Sequence, residues 1–262
     1  MSNLLVEKKE GVARITLNRP EVRNAFDDAL IASMKNCFSE LEADKSTRVV
    51  VLAGNGPAFC AGADLNWMKR MAGYGYEENL ADARALADML AALDRLPKPT
   101  IARVHGPAFA GGTGLVAACD IAIGTPQAKF CFSEAKLGLS PATISPYVMR
   151  AIGERAARRY FLTAEVFDAA EACRIGLLSS CVFSNQLDSS VEEIIKHLLA
   201  GGSEAHAKIK DLIRAVAGRA VDAALVADTA RRIAEIRVSP EGREGIASFL
   251  EKRKPSWGRG KD

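Results

Sequence analysis

The sequence is poor in the residues that build metal sites and covalent frameworks. It has only three histidines and six cysteines in 262 residues, and no two cysteines form a CxxC pair. Most of the cysteines have apolar neighbours in the sequence, so we expect buried thiols in a reducing compartment. These shortages argue against a histidine-based zinc site, any other metal centre and a disulfide-rich secreted fold.

Long apolar runs and a strong charge of either sign are also missing. No apolar stretch is long enough to cross a bilayer, and the first residues lack the pattern of a secretory signal. The formal net charge of +3 is too small to argue for a nucleic-acid partner. With 48% hydrophobic and 26% charged residues, the composition predicts a globular cytoplasmic protein without a membrane or nucleic-acid partner.

Residues 97–120 combine a buried strand, a glycine-rich turn and a helix. Residues 100–104 are mostly apolar with β-branched members, which predicts a strand. Three glycines follow within residues 110–114, and residues 115–119 have the composition of a buried helix. Glycines let the backbone approach a ligand closely, and a helix N-terminus presents unpaired N–H groups. By itself the pattern is also typical of a tight turn packed under a helix.

A second glycine-bearing turn makes the first one more informative. Residues 59–64 follow another predicted strand, at residues 48–53, and contain Gly62. Two such turns can each direct one N–H group at a single oxygen atom, which is the arrangement of an oxyanion hole.

The rest of the chain alternates strands with helices and then ends in helices. This order predicts an α/β core over residues 1–186 and a helical C-terminal region over residues 187–262. The predicted strands are 4–6, 12–17, 48–53, 100–104, 121–123, 128–134 and 177–183. The predicted helices are 26–43, 65–71, 79–96, 147–163, 168–176, 187–200, 204–217, 220–237 and 240–252, with a flexible loop at 74–76.

Glu134 is the candidate acid/base residue. It lies at the end of a predicted strand among apolar and small residues, so burial would move its pKa towards neutrality. A solvated glutamate at a strand end is the alternative. Asp64 is interpreted as a helix cap, and Asp120 and His105 as structural residues. The sequence has no serine in a nucleophile elbow, no GxGxxG after a strand and no Walker loop.

In order and spacing, these motifs resemble the enoyl-CoA hydratase/isomerase (crotonase) family. The resemblance lies in residues 17–20, 23–25, 59–65, 105–112, 119–121, 132–138, 162–163 and 249–255, and it covers essentially the whole chain. Within the family, residues 64–68 and 140–147 look most like bacterial hydratases of branched, carboxylated enoyl-CoAs. That similarity implies methylglutaconyl-CoA or carboxygeranoyl-CoA, from leucine and acyclic-terpene breakdown, as substrates.

The resemblance implies a spiral of ββα turns whose helical C-terminal region trimerises, as a homotrimer or a dimer of trimers. It implies an acyl-CoA thioester substrate, so that CoA is part of the substrate and no separate cofactor is needed. The oxyanion hole maps onto the backbone N–H groups of Ala63 and Gly111, and the acid/base onto Glu134. The implied substrate-binding residues are Arg23, Ala25, Ala61, Asp64, Leu65, Gly112 and Pro141, with Phe249 and Lys252 reaching the CoA of a neighbouring subunit.

The sequence departs from the family pattern at Gly114, where typical hydratases carry a second catalytic glutamate. Three functions remain open: a hydratase that uses Glu134 alone, a Δ3-Δ2 isomerase that shuttles one proton, and a non-catalytic relative that binds a CoA ester or RNA. Gly114 is also expected to leave space for a branched or carboxylated acyl group.

Overall fold

The computed structural model describes residues 2–258 and contains two β-sheets covered by helices. The larger sheet has the order β1-β2-β3-β4-β6-β9 and the smaller one β5-β7-β8. The strands are β1 (Leu4–Lys9), β2 (Val12–Leu17), β3 (Val49–Gly54), β4 (Thr100–Val104), β5 (Ala108–Phe109), β6 (Ile121–Gly124), β7 (Lys129–Cys131), β8 (Phe167–Asp168) and β9 (Ser180–Cys181).

The helices alternate with the strands and then follow one another at the C-terminus. They are α1 (Asp28–Ala43), α2 (Leu65–Met71), α3 (Tyr76–Arg95), α4 (Gly111–Ala118), α5 (Ser145–Thr163), α6 (Ala169–Arg174), α7 (Leu187–Ala200), α8 (Ser203–Val216), α9 (Ala223–Val238) and α10 (Pro240–Leu250). This confirms the predicted α/β class with a helical C-terminal region. Residues 259–262 of the predicted region lie outside the described part.

The central strands of the larger sheet are buried on both faces. Strands β1 and β2 form an antiparallel hairpin, and β2, β3, β4, β6 and β9 run parallel. In β3, Val50 and Leu52 belong to the main core with α1 and α3, whereas Val49 and Val51 pack in a second core with α7. Because successive strand residues point to opposite faces, a strand covered on both sides needs an unbroken apolar run.

Helix α7 therefore packs against the sheet although it begins the predicted C-terminal region. Its residues Leu187, Val191 and Ile195 are buried in the second core. The division of the chain at residue 187 stays a prediction about its organisation. No helix within residues 2–258 is long and apolar enough to cross a membrane.

Some predicted elements have bounds that differ from those in the structure. The helix predicted at 79–96 begins at Tyr76, inside the predicted loop, where the N–H of Gly75 donates to Glu78 Oε2 at 2.8 Å. The strand predicted at 128–134 ends at Cys131 and continues as a 3-10 helix, Ser133–Leu137. The strand predicted at 177–183 is reduced to Ser180–Cys181, and helix α5 is interrupted at Gly153 (φ 74°, ψ 163°).

All six cysteines are free thiols. Cys37, Cys60 and Cys131 are buried, and burial raises the pKa of the Cys60 thiol to about 12. The expectation of buried thiols is wrong for Cys181, which is exposed on the short edge strand β9.

An ion pair between a buried lysine and a partly exposed aspartate fastens α8 to the sheet and yields a stability prediction. Lys210 Nζ lies 2.6 Å from Asp120 Oδ2, and the lysine side chain is only 8% exposed. Replacing Lys210 by Met would leave the carboxylate with only its two hydrogen bonds from Thr100. We expect the free energy of unfolding, measured by urea denaturation, to fall by about 1–3 kcal/mol.

The matched control for this change is Lys35→Met. Lys35 pairs with Asp88 on the surface, where both side chains are about half exposed, so we expect a change within about 0.5 kcal/mol. Equal changes in the free energy of unfolding for the two substitutions would show that the Lys210–Asp120 pair stabilises the fold no more than a surface pair does.

Candidate active site

The two glycine-bearing turns lie side by side. Cys60 and Ala108 form a parallel bridge, and the N–H of Phe109 donates to the carbonyl of Cys60 at 2.9 Å. A Cβ atom on Gly112 would lie 2.9 Å from the Cβ of Cys60 and closer still to its carbonyl oxygen. Only glycine at position 112 therefore permits this approach, because any side chain would push the turns apart.

The backbone at these turns includes unpaired donors. Within residues 2–258, the N–H groups of Ala63 and Gly111 donate to no protein acceptor. Gly111 is the first residue of α4, so its N–H points away from the helix, and the helix dipole favours negative charge at that end. Ala63 follows Gly62, whose φ of +91° suits glycine.

Ala110, which precedes α4, has a strained backbone. Its φ and ψ are 47° and −118°, a combination that a residue with a Cβ adopts at a cost of about 1–3 kcal/mol. Hydrogen bonding fixes this conformation, since the N–H of Ala110 donates to the carbonyl of Cys131 at 2.8 Å. The strain therefore sits directly next to the unpaired N–H of Gly111.

Glu134 lies at the same edge of the smaller sheet as Gly111. Strands β5 and β7 run parallel, with Phe109 opposite Cys131. Gly111 follows the end of β5 and Glu134 follows the end of β7, so both leave the sheet at its carboxyl edge. The sequence predicted Glu134 at a strand end, whereas the structure places it in the 3-10 helix that follows the strand.

The carboxylate of Glu134 is partly buried and incompletely hydrogen-bonded. Its Oε2 atom is shielded from solvent, and within the described residues it has no hydrogen-bond partner. Burial raises the pKa of this carboxyl group above its ordinary value of 4.5. A buried carboxyl with a raised pKa can accept and return a proton near neutral pH, which is the task of a general acid/base. The interpretation as a solvated glutamate is therefore wrong.

A polar network joins the first loop to the second glycine turn. Arg19 donates to Asp64 at 3.1 Å and lies 3.0 Å from Asp27. Asp64 also caps α2 by accepting from the N–H of Asn66 at 2.8 Å, which confirms the predicted cap. Burial alone would raise the pKa of Asp64, but the bonds from the cap and from Arg19 outweigh it, so the pKa is lowered.

Comparisons with known proteins identify the family. The model of the family described as "Enoyl-CoA hydratase/isomerase" matches residues 7–260. A crystal structure of an enoyl-CoA hydratase from Shewanella pealeana superposes with a TM-score of 0.95 at 43% identity, over 98% of this chain and 96% of that one. The chain belongs to the enoyl-CoA hydratase/isomerase family.

The chain is similar to curated relatives that have different activities. A short-chain-enoyl-CoA hydratase of Clostridium acetobutylicum is 30% identical and covers 97% of both chains. A 1,2-epoxyphenylacetyl-CoA isomerase of Escherichia coli is also 30% identical and covers 98% of both chains. The crotonase fold expected from the sequence is thus confirmed.

The structure brings most of the expected substrate residues together. The N–H of Ala61 donates to the carbonyl of Arg23 at 3.0 Å, and the N–H of Phe26 donates to that of Gly62 at 2.6 Å. These bonds place the first loop, with Arg23 and Ala25, directly against the second glycine turn. Arg23 is exposed there, which leaves its guanidinium available to a phosphate.

Exposed apolar side chains flank the two turns and Glu134. Leu65 is 73% exposed directly after the second turn, and Leu137 and Leu139 are 56% and 61% exposed after Glu134. Pro141, which was expected to touch substrate, is buried. Open apolar surface around a buried carboxylate suits an acyl chain.

Phe249 and Lys252 are not brought to Glu134 in the single chain. Helix α10 packs on α8 and α9, and Phe249 is 82% exposed. Their contact with the CoA of a neighbouring subunit stays a prediction.

The expectation that Gly114 leaves space for an acyl group is wrong. A Cβ atom at Gly114 would lie 2.9 Å from the Cβ of Ile144, and Ile144 is buried. The volume is therefore already filled by this side chain.

Sequence reasoning missed two residues that shape the site. Asn24 is fully buried, and its Nδ2 donates to the carbonyls of Asn55 and Ala58 at 2.8 and 2.9 Å. These bonds hold the first loop against the segment that follows strand β3. Ile144 fills the space at Gly114. The positive φ of Asn24 (56°) is compatible with its residue type, but nothing in the sequence signals the Ile144 contact.

We predict that Gly112→Ala separates the two turns. The added Cβ meets the backbone of Cys60, which has no room to retreat because it also bonds Phe109. We expect affinity for a CoA ester, measured by calorimetry, to fall at least about tenfold, and unfolding to occur at a lower temperature. Gly73→Ala is the control, since its Cβ would make only an ordinary 3.5 Å contact. Unchanged affinity in Gly112→Ala would contradict the close approach of the turns.

Proposed function

We propose that the protein hydrates the double bond of a 2-enoyl-CoA thioester with Glu134 as its single acid/base. The observation that carries this proposal is a partly buried, incompletely bonded carboxylate that leaves the smaller sheet at the same edge as Gly111, whose unpaired N–H lies on the turn next to that of Ala63. Such an arrangement suits a reaction in which a proton moves while negative charge develops on a thioester oxygen.

In the proposed reaction, the thioester oxygen accepts hydrogen bonds from the N–H groups of Ala63 and Gly111. Glu134 accepts a proton from water as the water oxygen bonds to C3. The electrons of the C2=C3 double bond move to the thioester oxygen as an enolate, and the carboxyl group of Glu134 then returns its proton to C2. The balance requires substrate and water only, so the proposal includes no separate cofactor.

A single carboxylate is sufficient for this reaction in principle. An oxyanion donor contributes roughly 10²–10³-fold to the rate, and a positioned acid/base roughly 10²–10⁴-fold. The glycine at position 114 therefore removes a group that would orient water, while the proton path through Glu134 is unaffected.

We propose a branched or carboxylated acyl group, of the methylglutaconyl-CoA type, as in leucine breakdown. This is supported by the resemblance at residues 64–68 and 140–147. It no longer draws support from Gly114, since Ile144 fills that space. The exposed apolar residues around the site favour an acyl group with substantial apolar surface.

Isomerisation of a 3-enoyl-CoA is the second candidate, because it needs only one carboxylate. Glu134 would remove a proton from C2 and return it at C4 through the same stabilised enolate. The isomerase among the relatives favours keeping this candidate. A purely CoA-ester- or RNA-binding role has less support, because a shielded carboxylate oxygen without a hydrogen-bond partner destabilises the fold and is not needed for such a role.

We also propose that the protein assembles as a homotrimer or a dimer of trimers. This is supported by the family resemblance of the C-terminal region, where Phe249 and Leu250 are 82% and 73% exposed.

We predict that Glu134→Gln loses at least about 10³-fold in turnover while its affinity for a saturated acyl-CoA changes by less than about threefold. The amide keeps the shape of the side chain but cannot accept the proton. The product is identified by mass spectrometry, which detects the added water. Glu154→Gln, which alters an exposed pair with Arg158, serves as the control. Retained turnover in Glu134→Gln would refute the assigned role.

We predict an acidic limb in the pH dependence of kcat/KM that reports Glu134. The carboxyl must be ionised to accept a proton from water, and its pKa is raised by burial. Activity is therefore complete above the raised pKa and is lost as the pH falls through it, beginning above the ordinary range of a glutamate. The measurement is kcat/KM from about pH 4 to 8, with the fold checked by circular dichroism. A limb at the ordinary value would contradict the burial argument.

A further inference from the structure

The packing around Gly114 leaves no room for a side chain at that position. Gly114 lies on α4 one turn after Gly111, so the two positions share one face of the helix. A Cβ at Gly114 would lie 2.9 Å from the Cβ of Ile144 and closer still to its Cγ2. Ile144 therefore takes the volume in which any side chain at position 114 would have to begin.

Ile144 is held in place by its surroundings. The N–H of Ser145 donates to the carbonyl of Pro141 at 3.0 Å, and the carbonyl of Ile144 accepts from the N–H of Val148 at 3.1 Å. The side chain is 1% exposed and belongs to the main core. Isoleucine is also stiff at χ1 because it is β-branched. Neither the backbone nor the side chain can readily withdraw from Gly114.

We propose that Ile144 is a positioning residue that closes the entry for a second acid/base side chain and so confines proton transfer to Glu134. Positions 114 and 144 share one side-chain volume. Glycine at 114 with isoleucine at 144 gives an apolar wall, whereas a side chain at 114 requires a glycine at 144. The confinement of proton transfer to Glu134 rests on the proposed function, whereas the sharing of one volume by positions 114 and 144 is independent of it.

A double-mutant cycle of thermal unfolding tests the shared volume. The four proteins are the wild type, Gly114→Ala, Ile144→Gly and the double variant. In the wild-type background, we expect Gly114→Ala to lower Tm by roughly 2–8 °C, because it overpacks the contact. In the Ile144→Gly background the same change is expected to leave Tm unchanged or raise it, because alanine is the better helix former. Equal falls in both backgrounds would overturn the inference.

A pair of double variants tests the chemical consequence. G114E/I144G and G114Q/I144G differ only in whether the side chain at 114 is a carboxylate or an amide. We expect the glutamate form to hydrate a 2-enoyl-CoA at least about tenfold faster than the glutamine form, because only a carboxylate can take part in proton transfer. Equal rates would show that a side chain at 114 does not reach the reacting atoms, and would overturn the proposed role of Ile144.

The two measurements separate this inference from the proposed function. If the cycle shows coupling but the wild type hydrates no enoyl-CoA, the shared volume of positions 114 and 144 is confirmed. The proposed hydration and the role of Ile144 in confining proton transfer are then both refuted. If the cycle shows no coupling, the inference falls even when the wild type is an active hydratase.

Discussion

The close approach of the two glycine turns is the constraint on which the site depends. The bond between Phe109 and Cys60 and the absence of a side chain at Gly112 bring the two backbone segments into direct contact. This contact sets the unpaired N–H groups of Ala63 and Gly111 on neighbouring turns. It also depends on the parallel pairing of β5 with β7, because that pairing fixes Ala110 in its strained conformation. The strand pairing of the smaller sheet therefore helps to set the position of the Gly111 N–H group.

The site also requires a carboxylate oxygen that is shielded from water. A carboxyl group without a full set of hydrogen bonds destabilises a folded protein, and Glu134 has an oxygen in that state. The same burial that is unfavourable for stability moves its pKa in the direction that acid/base chemistry at neutral pH requires. The apolar contact between Ile144 and Gly114 is consistent with this environment, because it excludes a second charge from one helical turn beyond Gly111.

The sequence was sufficient to predict the parts of the site that depend on local chemistry. The glycines at 62 and 112, the cap at Asp64 and the choice of Glu134 as the candidate acid/base all follow from residue type and neighbours. The 3-10 helix that carries Glu134 was missed, because its residues look like the continuation of a strand. Open space was predicted at Gly114, where the structure has the side chain of Ile144. The contact was missed because it joins residues far apart in the sequence. The exposure of Cys181 was missed for a related reason, since it depends on which strand lies at the edge of the sheet.

The most direct test of the central claim follows the absorbance of the conjugated thioester in two parallel reactions of the purified protein. One contains a branched, carboxylated 2-enoyl-CoA and the other the matching 3-enoyl-CoA. If the oxyanion turns and Glu134 hydrate the double bond, the band of the 2-enoyl-CoA disappears. If the band of the 2-enoyl-CoA persists while the 3-enoyl-CoA gains one, the protein is an isomerase and hydration by a single carboxylate is refuted.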